Sequence, residues 1–277
     1  MPRLTELLDT FRSYFAAYEQ ESRHAQLSTP PGRVDLKVVT FLVVAMVVLS
    51  LLDYHGGSGD WRILEAMFGL FVDDPQALLS GWFRDDEWGR LLRLSYWSGT
   101  TFLGYFIVPV VLIVVVFRDR LRNYGMPNPF GSGHPWLCLG LFLVMLPFVV
   151  AASFTESFQA TYPFYGHADR SMFDFLAWQL VYAAQFFALE FFYRGVLIHG
   201  IKHRFGVYSI LVSTIPYVMI HFGKPLPETL GSIVAGIALG ALSYHLRSIW
   251  PGVFLHIAIA LAMDSFSLAA QGRIGLF

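Results

Sequence analysis

Charge is what this sequence has least of. Only 14% of its 277 residues are Asp, Glu, Lys or Arg, against roughly 25% in soluble domains. That shortfall leaves too little polar surface to clothe a soluble globule and argues against a soluble enzyme or a disordered chain. The formal net charge of -1 withholds the basic footprint that a nucleic-acid binder needs. Cysteine occurs once, at Cys138, which excludes an intramolecular disulfide and a cysteine-built zinc site. What remains is apolar: 55% hydrophobic and 17% aromatic, with mean hydropathy +0.53. The sequence reads as an integral membrane protein.

About 20 apolar residues cross a bilayer core, and several uncharged stretches are of that kind. They are Leu94 to Phe117, Pro135 to Thr155, Phe205 to Gly223 and Thr229 to Leu246. Val38 to Leu52 is shorter, but Lys37 can snorkel to the interface and complete it. Two further spans carry charges: one from near Phe173 past Glu190 and Arg194, the other from near Ile249 past Asp264. The expected fold is an all-α polytopic membrane bundle of about seven transmembrane helices. An eighth follows if Trp61 to Phe71 enters the membrane. The chain divides into an N-terminal segment over 1–35, two spans with a long acidic and aromatic outer loop over 36–134, and a membrane core over 135–270.

In the first segment Leu4, Leu7, Leu8, Phe11, Tyr14, Phe15 and Tyr18 recur at helical spacing beside charged neighbours. That pattern fits an amphipathic helix, lying on the membrane or covering the bundle, rather than a signal peptide. Lys and Arg distribution sets orientation. Alternate loops give one side Arg3, Arg12, Arg23, Arg33, Lys37, Arg118, Arg120, Arg122, Lys202, Arg204 and Arg247. The other side holds Arg62, Arg84, Arg90, Arg93, Arg170, Lys224 and Arg273, four of them in one acidic loop. A multi-pass protein of the cell membrane with a cytoplasmic N-terminus is expected, with lipid around it and no nucleic acid.

Ionisable groups inside spans are costly and point to function by default. Here they are Glu190, Arg194, His221, His256 and Asp264. Each has a plainer reading: Glu190 and Arg194 are four apart and fit a structural ion pair, a lone His packs through one hydrogen bond, and Asp264 can anchor a span. His199, His203 and His245 lie near Lys202, Arg204 or Arg247 and read as interfacial. For helices turning at Arg204 to Gly206 and near Ser248, Glu190 and His221 both stand about 22 Å from the inner turn. Asp264 stands about 24 Å away and His256 only about 12 Å, so His256 joins the others only through tilt or a kink.

Such a cluster suits hydrolysis. A carboxylate shielded from bulk water takes a proton from a bound water readily; Arg194 opposes that tendency but holds the group in place. Imidazoles can orient the water or stabilise an oxyanion. A metal is the alternative, since Glu190, His221, His256 and Asp264 would fill a tetrahedral zinc shell. Other protease signatures are weaker. Gly56-Gly57-Ser58-Gly59 matches G-x-S-G and Gly57-Ser58-Gly59-Asp60 matches G-x-G-D, but both fall in one glycine-rich turn. No H-E-x-x-H occurs. Ser232, Gly236 and Gly240 recur every four residues and favour close helix packing with no catalytic meaning. Lys224-Pro225-Leu226-Pro227-Glu228 makes a short outer turn, with Glu228 favourable at a helix N-terminus.

The segment Glu190-Phe191-Phe192-Tyr193-Arg194 resembles the E-E-x-x-x-R motif of the CPBP (Abi) family, which includes CAAX-prenyl endopeptidases and bacteriocin-processing proteins. Tyr217-Val218-Met219-Ile220-His221 is similar to its F-x-x-x-H, and His256 to the histidine of its H-x-x-x-N. The motifs follow the family's order over roughly Pro135 to Ala270. Leu189 replaces the first glutamate, the one usually assigned as base, and Ala260 replaces the asparagine, with Asp264 one turn further on. The resemblance implies an intramembrane endopeptidase without cofactor, acting on a membrane-associated peptide or protein. In it Glu190 and His221 would activate water, His256 would stabilise the oxyanion, and Arg194, Tyr217 and Asp264 would support them. The departures leave open a non-catalytic relative that binds or chaperones membrane partners. A transporter is disfavoured because no repeat with broken helices is present.

Overall fold

The computed structural model describes residues 34–57, 60–84, 86, 88–126 and 134–273, with the single positions 16, 20 and 23. The expected amphipathic helix at the N-terminus, and Ser58 and Gly59 of the Gly56 to Asp60 turn, lie outside the described residues. The described chain is helical, with no strand among the described residues. Six helices are long and apolar enough to cross a membrane. They are α1 (Leu36–His55), α2 (Gly89–Val116), α3 (Pro135–Ser153), α4 (Met172–His199), α6 (Leu226–Leu246) and α7 (Trp250–Ala270). A shorter helix, α5 (Ser209–Met219), lies between α4 and α6.

This is the helical membrane bundle expected, its six long helices and the shorter α5 standing near the expected count of seven. The span expected over Phe205 to Gly223 is the 11-residue α5, which at about 1.5 Å per residue covers little more than half a bilayer core. Gly206, with φ 54° and ψ -137°, breaks the chain between the helical turn Lys202–Phe205 and α5. The eighth candidate is a seven-residue helix, Arg62–Phe68, too short to span.

Local chemistry sets the helix ends. Asp35 caps α1 by accepting from the backbone N–H groups of Lys37 and Val38. Lys37 is paired rather than free at the interface, its Nζ 2.7 Å from Asp119 Oδ2. Ser171 caps α4 through the Asp174 N–H. Inside α2 two π-helical turns, Leu103–Ile107 and Leu112–Val116, flank a stretch holding Pro109, whose missing donor disturbs the regular ladder.

Most faces of α1, α3 and the outer side of α4 are apolar and exposed, as lipid-facing helices are. Burial concentrates in the second half of α4, where every residue from Ala188 to Gly200 is buried. Around it α5, α6 and α7 close. The expected small-residue seam is real: a Cβ on Gly236 would press on Thr214 and Tyr217, and one on Gly240 on Ile210 and Ile198. A segment after α2 ties the far end of the bundle together. Gly125 O accepts from the Ile249 N–H at 2.9 Å, and Met126 O from Trp250 Nε1 at 3.1 Å. These bonds fix where α7 begins, and so the height of His256.

Candidate active site

Directly after Glu190, α4 becomes a π-helix for nine residues, Phe191–His199. π-helical turns are uncommon and concentrate at functional sites. Here the stretch carries Arg194 one turn beyond Glu190, and the Ser213 hydroxyl of α5 donates to the Tyr193 carbonyl at 2.6 Å. The helix ends at His199, before the expected turn at Arg204 to Gly206, and its π turns rise less per residue, so Glu190 stands nearer the α4 end than the sequence count implies. That corrects the depth matching. His256, expected to sit too low, meets Glu190 directly, with His256 Nδ1 2.6 Å from Glu190 Oε1.

The centre is built from side chains of α4, α5 and α7 and of the residues just after α5. Glu190 is 0% exposed and Arg194 1%. Arg194 Nη1 lies 3.2 Å from Glu190 Oε1, an ion pair without the alignment of a hydrogen bond. The guanidinium stacks on the Tyr217 ring, Cζ 4.3 Å from its centroid. The Tyr217 hydroxyl is 2.8 Å from His256 Nε2, and the His256 ring stacks on Phe186 at 5.2 Å and 10°. His221 follows α5, its Nδ1 2.8 Å from the Tyr217 carbonyl and its ring 4.8 Å from the Tyr217 ring. Glu190, Arg194, Tyr217, His221 and His256 therefore form one connected group. Glu190 Oε2 and the Arg194 nitrogens are buried with no hydrogen-bond partner among the described residues.

Asp264 is not part of that group. It is buried, and its Oδ2 accepts from Trp178 Nε1 at 2.9 Å and Gln179 Nε2 at 2.8 Å. Two turns beyond His256 on α7 it faces the first half of α4, not the second. The residue in the family's asparagine position, Ala260, packs with Leu94, Trp178 and Tyr182. Leu189, in the place of the first glutamate, packs with Ala45, Val48 and Tyr105. Among the described residues no three of His, Cys, Asp and Glu are grouped to hold a metal ion, so the four-residue zinc shell weighed from the sequence is not assembled. His199 also departs from its interfacial reading: it is buried, with Nε2 3.1 Å from Ser243 Oγ. His203 is half-exposed, its Nε2 2.7 Å from Asp35 Oδ2.

The expected turn from Lys224 to Glu228 is locked. Lys224 Nζ lies 2.7 Å from Glu228 Oε1, and the Tyr162 hydroxyl donates to the same oxygen at 2.8 Å. Thr229 Oγ1 donates to the His221 carbonyl at 2.8 Å, which holds the residue from both sides. Sequence reasoning missed two contributors. Phe186 gives no signal beyond being one aromatic among many. Gly252 does, since it lies on the same strip of α7 as His256, and a Cβ there would overlap the Glu190 carboxylate.

Residues 171–262 match the family model Rce1-like, described as type II CAAX prenyl endopeptidase Rce1-like. The matched segment is about a third of the chain and includes Glu190, Arg194, Tyr217, His221 and His256, but not Asp264. It agrees with the CPBP resemblance carried by the motifs. At the level of the family the activity is that of a CAAX-type protease. No curated protein and no solved structure matches the chain.

Proposed function

We propose, from the premise that residues 171–262 are Rce1-like, that this protein is an intramembrane endopeptidase. It hydrolyses a peptide bond of a membrane-associated substrate close to the membrane, by water activated in the Glu190, His221 and His256 group. The observation that carries this reading is the 2.6 Å contact of His256 with Glu190, a carboxylate with no exposed surface inside an apolar bundle. Burying a carboxylate and a guanidinium in this way costs several kcal/mol, about 2.5–3.5 for each charge at a span centre. Packing alone supplies no reason to keep them.

The chemistry needs a proton acceptor, a charge that stays fixed and an oxyanion donor. Glu190 and His256 form the first, Arg194 supplies the second, and the Tyr217 hydroxyl, backed by His256, the third. No resident cofactor enters this reading. The Lys and Arg asymmetry supports a cytoplasmic N-terminus and Arg118 to Arg122 loop in the cell membrane. The substitution of Leu189 for a glutamate favours a second reading, in which the fold binds a membrane partner without cutting it.

The direct test is cleavage by purified protein in liposomes of a prenylated peptide ending in a CAAX sequence, beside the same peptide without the prenyl group. Release of the C-terminal tripeptide supports the endopeptidase. Tight binding of either peptide with no product, across a panel of membrane-anchored substrates, supports the binding protein instead.

A further inference from the structure

The two histidines of the site differ in which nitrogen is left with work to do. Glu190 lies beside Arg194, whose guanidinium keeps its charge, and its Oε1 accepts from His256 Nδ1–H. A neutral His256 then has only a lone pair at Nε2, and the Tyr217 hydroxyl donates to it at 2.8 Å. Both ring nitrogens of His256 are thus occupied, and its flat face is covered by Phe186. Glu190 has no exposed surface at all. A proton entering or leaving the Glu190–His256 pair has one open partner in this chain of bonds, the Tyr217 oxygen. The carboxylate–imidazole–hydroxyl order is that of nucleophile-activating triads, with a phenol at its end.

His221 completes the argument from the same helix end. Its Nδ1 faces the Tyr217 carbonyl, which only accepts, so Nδ1 carries the proton and Nε2 holds a lone pair. Unlike Tyr217, His221 is half-buried rather than enclosed. A water accepted by His221 Nε2 through one hydrogen has its second hydrogen free for a neighbouring oxygen, and the ring beside it, at 4.8 Å, is Tyr217.

We propose that the Tyr217 hydroxyl is a catalytic proton relay, joining the Glu190–His256 pair to the water held at His221. The proposal rests on the endopeptidase reading of the site. In the forward step the water oxygen bonds to the substrate carbonyl carbon while one water proton passes to the Tyr217 oxygen. The phenol's own proton moves to His256 Nε2, giving an imidazolium beside the Glu190 carboxylate and a tetrahedral oxyanion. In the return step the imidazolium gives its Nε2 proton to the Tyr217 oxygen, and the phenol proton goes to the leaving nitrogen. The carbon–nitrogen bond breaks, and the products are the new C-terminal acid and an amine. Tyr217, His256 and Glu190 end as they began.

The test is Tyr217→Phe, which removes one oxygen and keeps the ring under Arg194. Two readouts are taken on protein purified in detergent and shown folded by gel filtration. The first is turnover of a peptide that the unmutated protein cleaves; the relay predicts a fall of roughly 100-fold or more, as for loss of a general acid–base, with binding of an uncleavable analogue unchanged. The second is the ¹⁵N resonances of His256 and needs no substrate. The unmutated protein should show Nδ1 protonated and Nε2 accepting, and the variant should shift the Nε2 signal toward a free lone pair. A proton on Nε2 of His256 in the unmutated protein overturns the relay, as does full turnover in a folded Tyr217→Phe variant. A protein with the expected His256 signals that cleaves nothing in the substrate panel sinks the endopeptidase reading, and the relay with it, while the bond to Tyr217 stands.

Discussion

Gly252 lies against the Glu190 carboxylate so closely that a methyl group added to it would overlap Oε2. The absent side chain of one helix makes room for the charged side chain of another. Because α7 approaches α4 at this point, His256, one helical turn further along, reaches Glu190 Oε1 at 2.6 Å. The first turn of α7 is itself pinned by the Ile249 and Trp250 bonds to Gly125 and Met126.

Gly252→Ala should therefore act on the site at a distance of one atom. The neighbour that must yield is a buried carboxylate held by Arg194 and His256, not the free end of a flexible chain. Overpacking of this kind costs about 1–3 kcal/mol. Thermal unfolding in detergent should show that loss, and hydrolysis per folded molecule should fall at least tenfold as Glu190 and His256 separate. Unchanged activity would mean the 2.6 Å contact is dispensable.

Glu190→Gln keeps the shape of the side chain and an oxygen for His256 Nδ1–H but takes no proton. Hydrolysis should drop roughly 100-fold or more. The same change strips Arg194, 1% exposed, of its counter-charge, and breaking a buried pair costs about 3–5 kcal/mol. Rates must therefore be taken per folded protein. His221→Ala leaves the ion pair intact and should lower the rate without that loss of stability, separating chemistry from folding. If the cellular phenotype survives Glu190→Gln but not deletion of the protein, the binding reading is correct.

These contrasts show what the sequence made legible. Uncharged runs marked the helices because a bilayer leaves a span nothing else to be. Glu190, Arg194, His221 and His256 stood out because charge inside such runs is rare. Asp264 stood out equally, and depth counting grouped it with Glu190. That count ran α4 on to Arg204 with one rise for every residue, whereas α4 ends at His199 and is π-helical from Phe191. Nothing in the run Phe-Phe-Tyr-Arg-Gly announces a change of helical pitch. Nor could apolar composition show that α5 stops after 11 residues, since Gly206 breaks a helix only in its actual backbone conformation. Gly252 was visible as a letter, but its meaning required the neighbouring helix.

Asp264 now has a different expectation attached to it. Its Oδ2 accepts two N–H bonds, from Trp178 and Gln179, which tie α7 to the first half of α4. Asp264→Ala would leave the buried Trp178 donor without that partner, at a cost of about 1–3 kcal/mol, and the half-buried Gln179 amide without one as well. The variant should unfold at lower temperature and accumulate less in membranes, while hydrolysis per folded molecule changes less than threefold. A large fall in rate at unchanged stability would return Asp264 to the catalytic group.

Metal dependence can be tested on the same purified protein. A zinc ion takes lone pairs from nitrogen and oxygen at about 2.0–2.2 Å. In this arrangement Glu190 Oε1 and His256 Nδ1 face each other, His256 Nε2 accepts from Tyr217, and Asp264 is bound to Trp178 and Gln179. A shell drawing on Glu190, His221, His256 and Asp264 would have to break the first of these bonds and move α7 along α4. Chelation by phenanthroline should accordingly leave both turnover and the unfolding temperature unchanged, and Glu190→Gln should not alter metal content. Loss of turnover on chelation that zinc restores, together with loss of bound zinc in Glu190→Gln, would make the cluster a ligand shell. The Glu190–His256 contact would then describe the metal-free protein, and the relay through Tyr217 would have no place in the reaction.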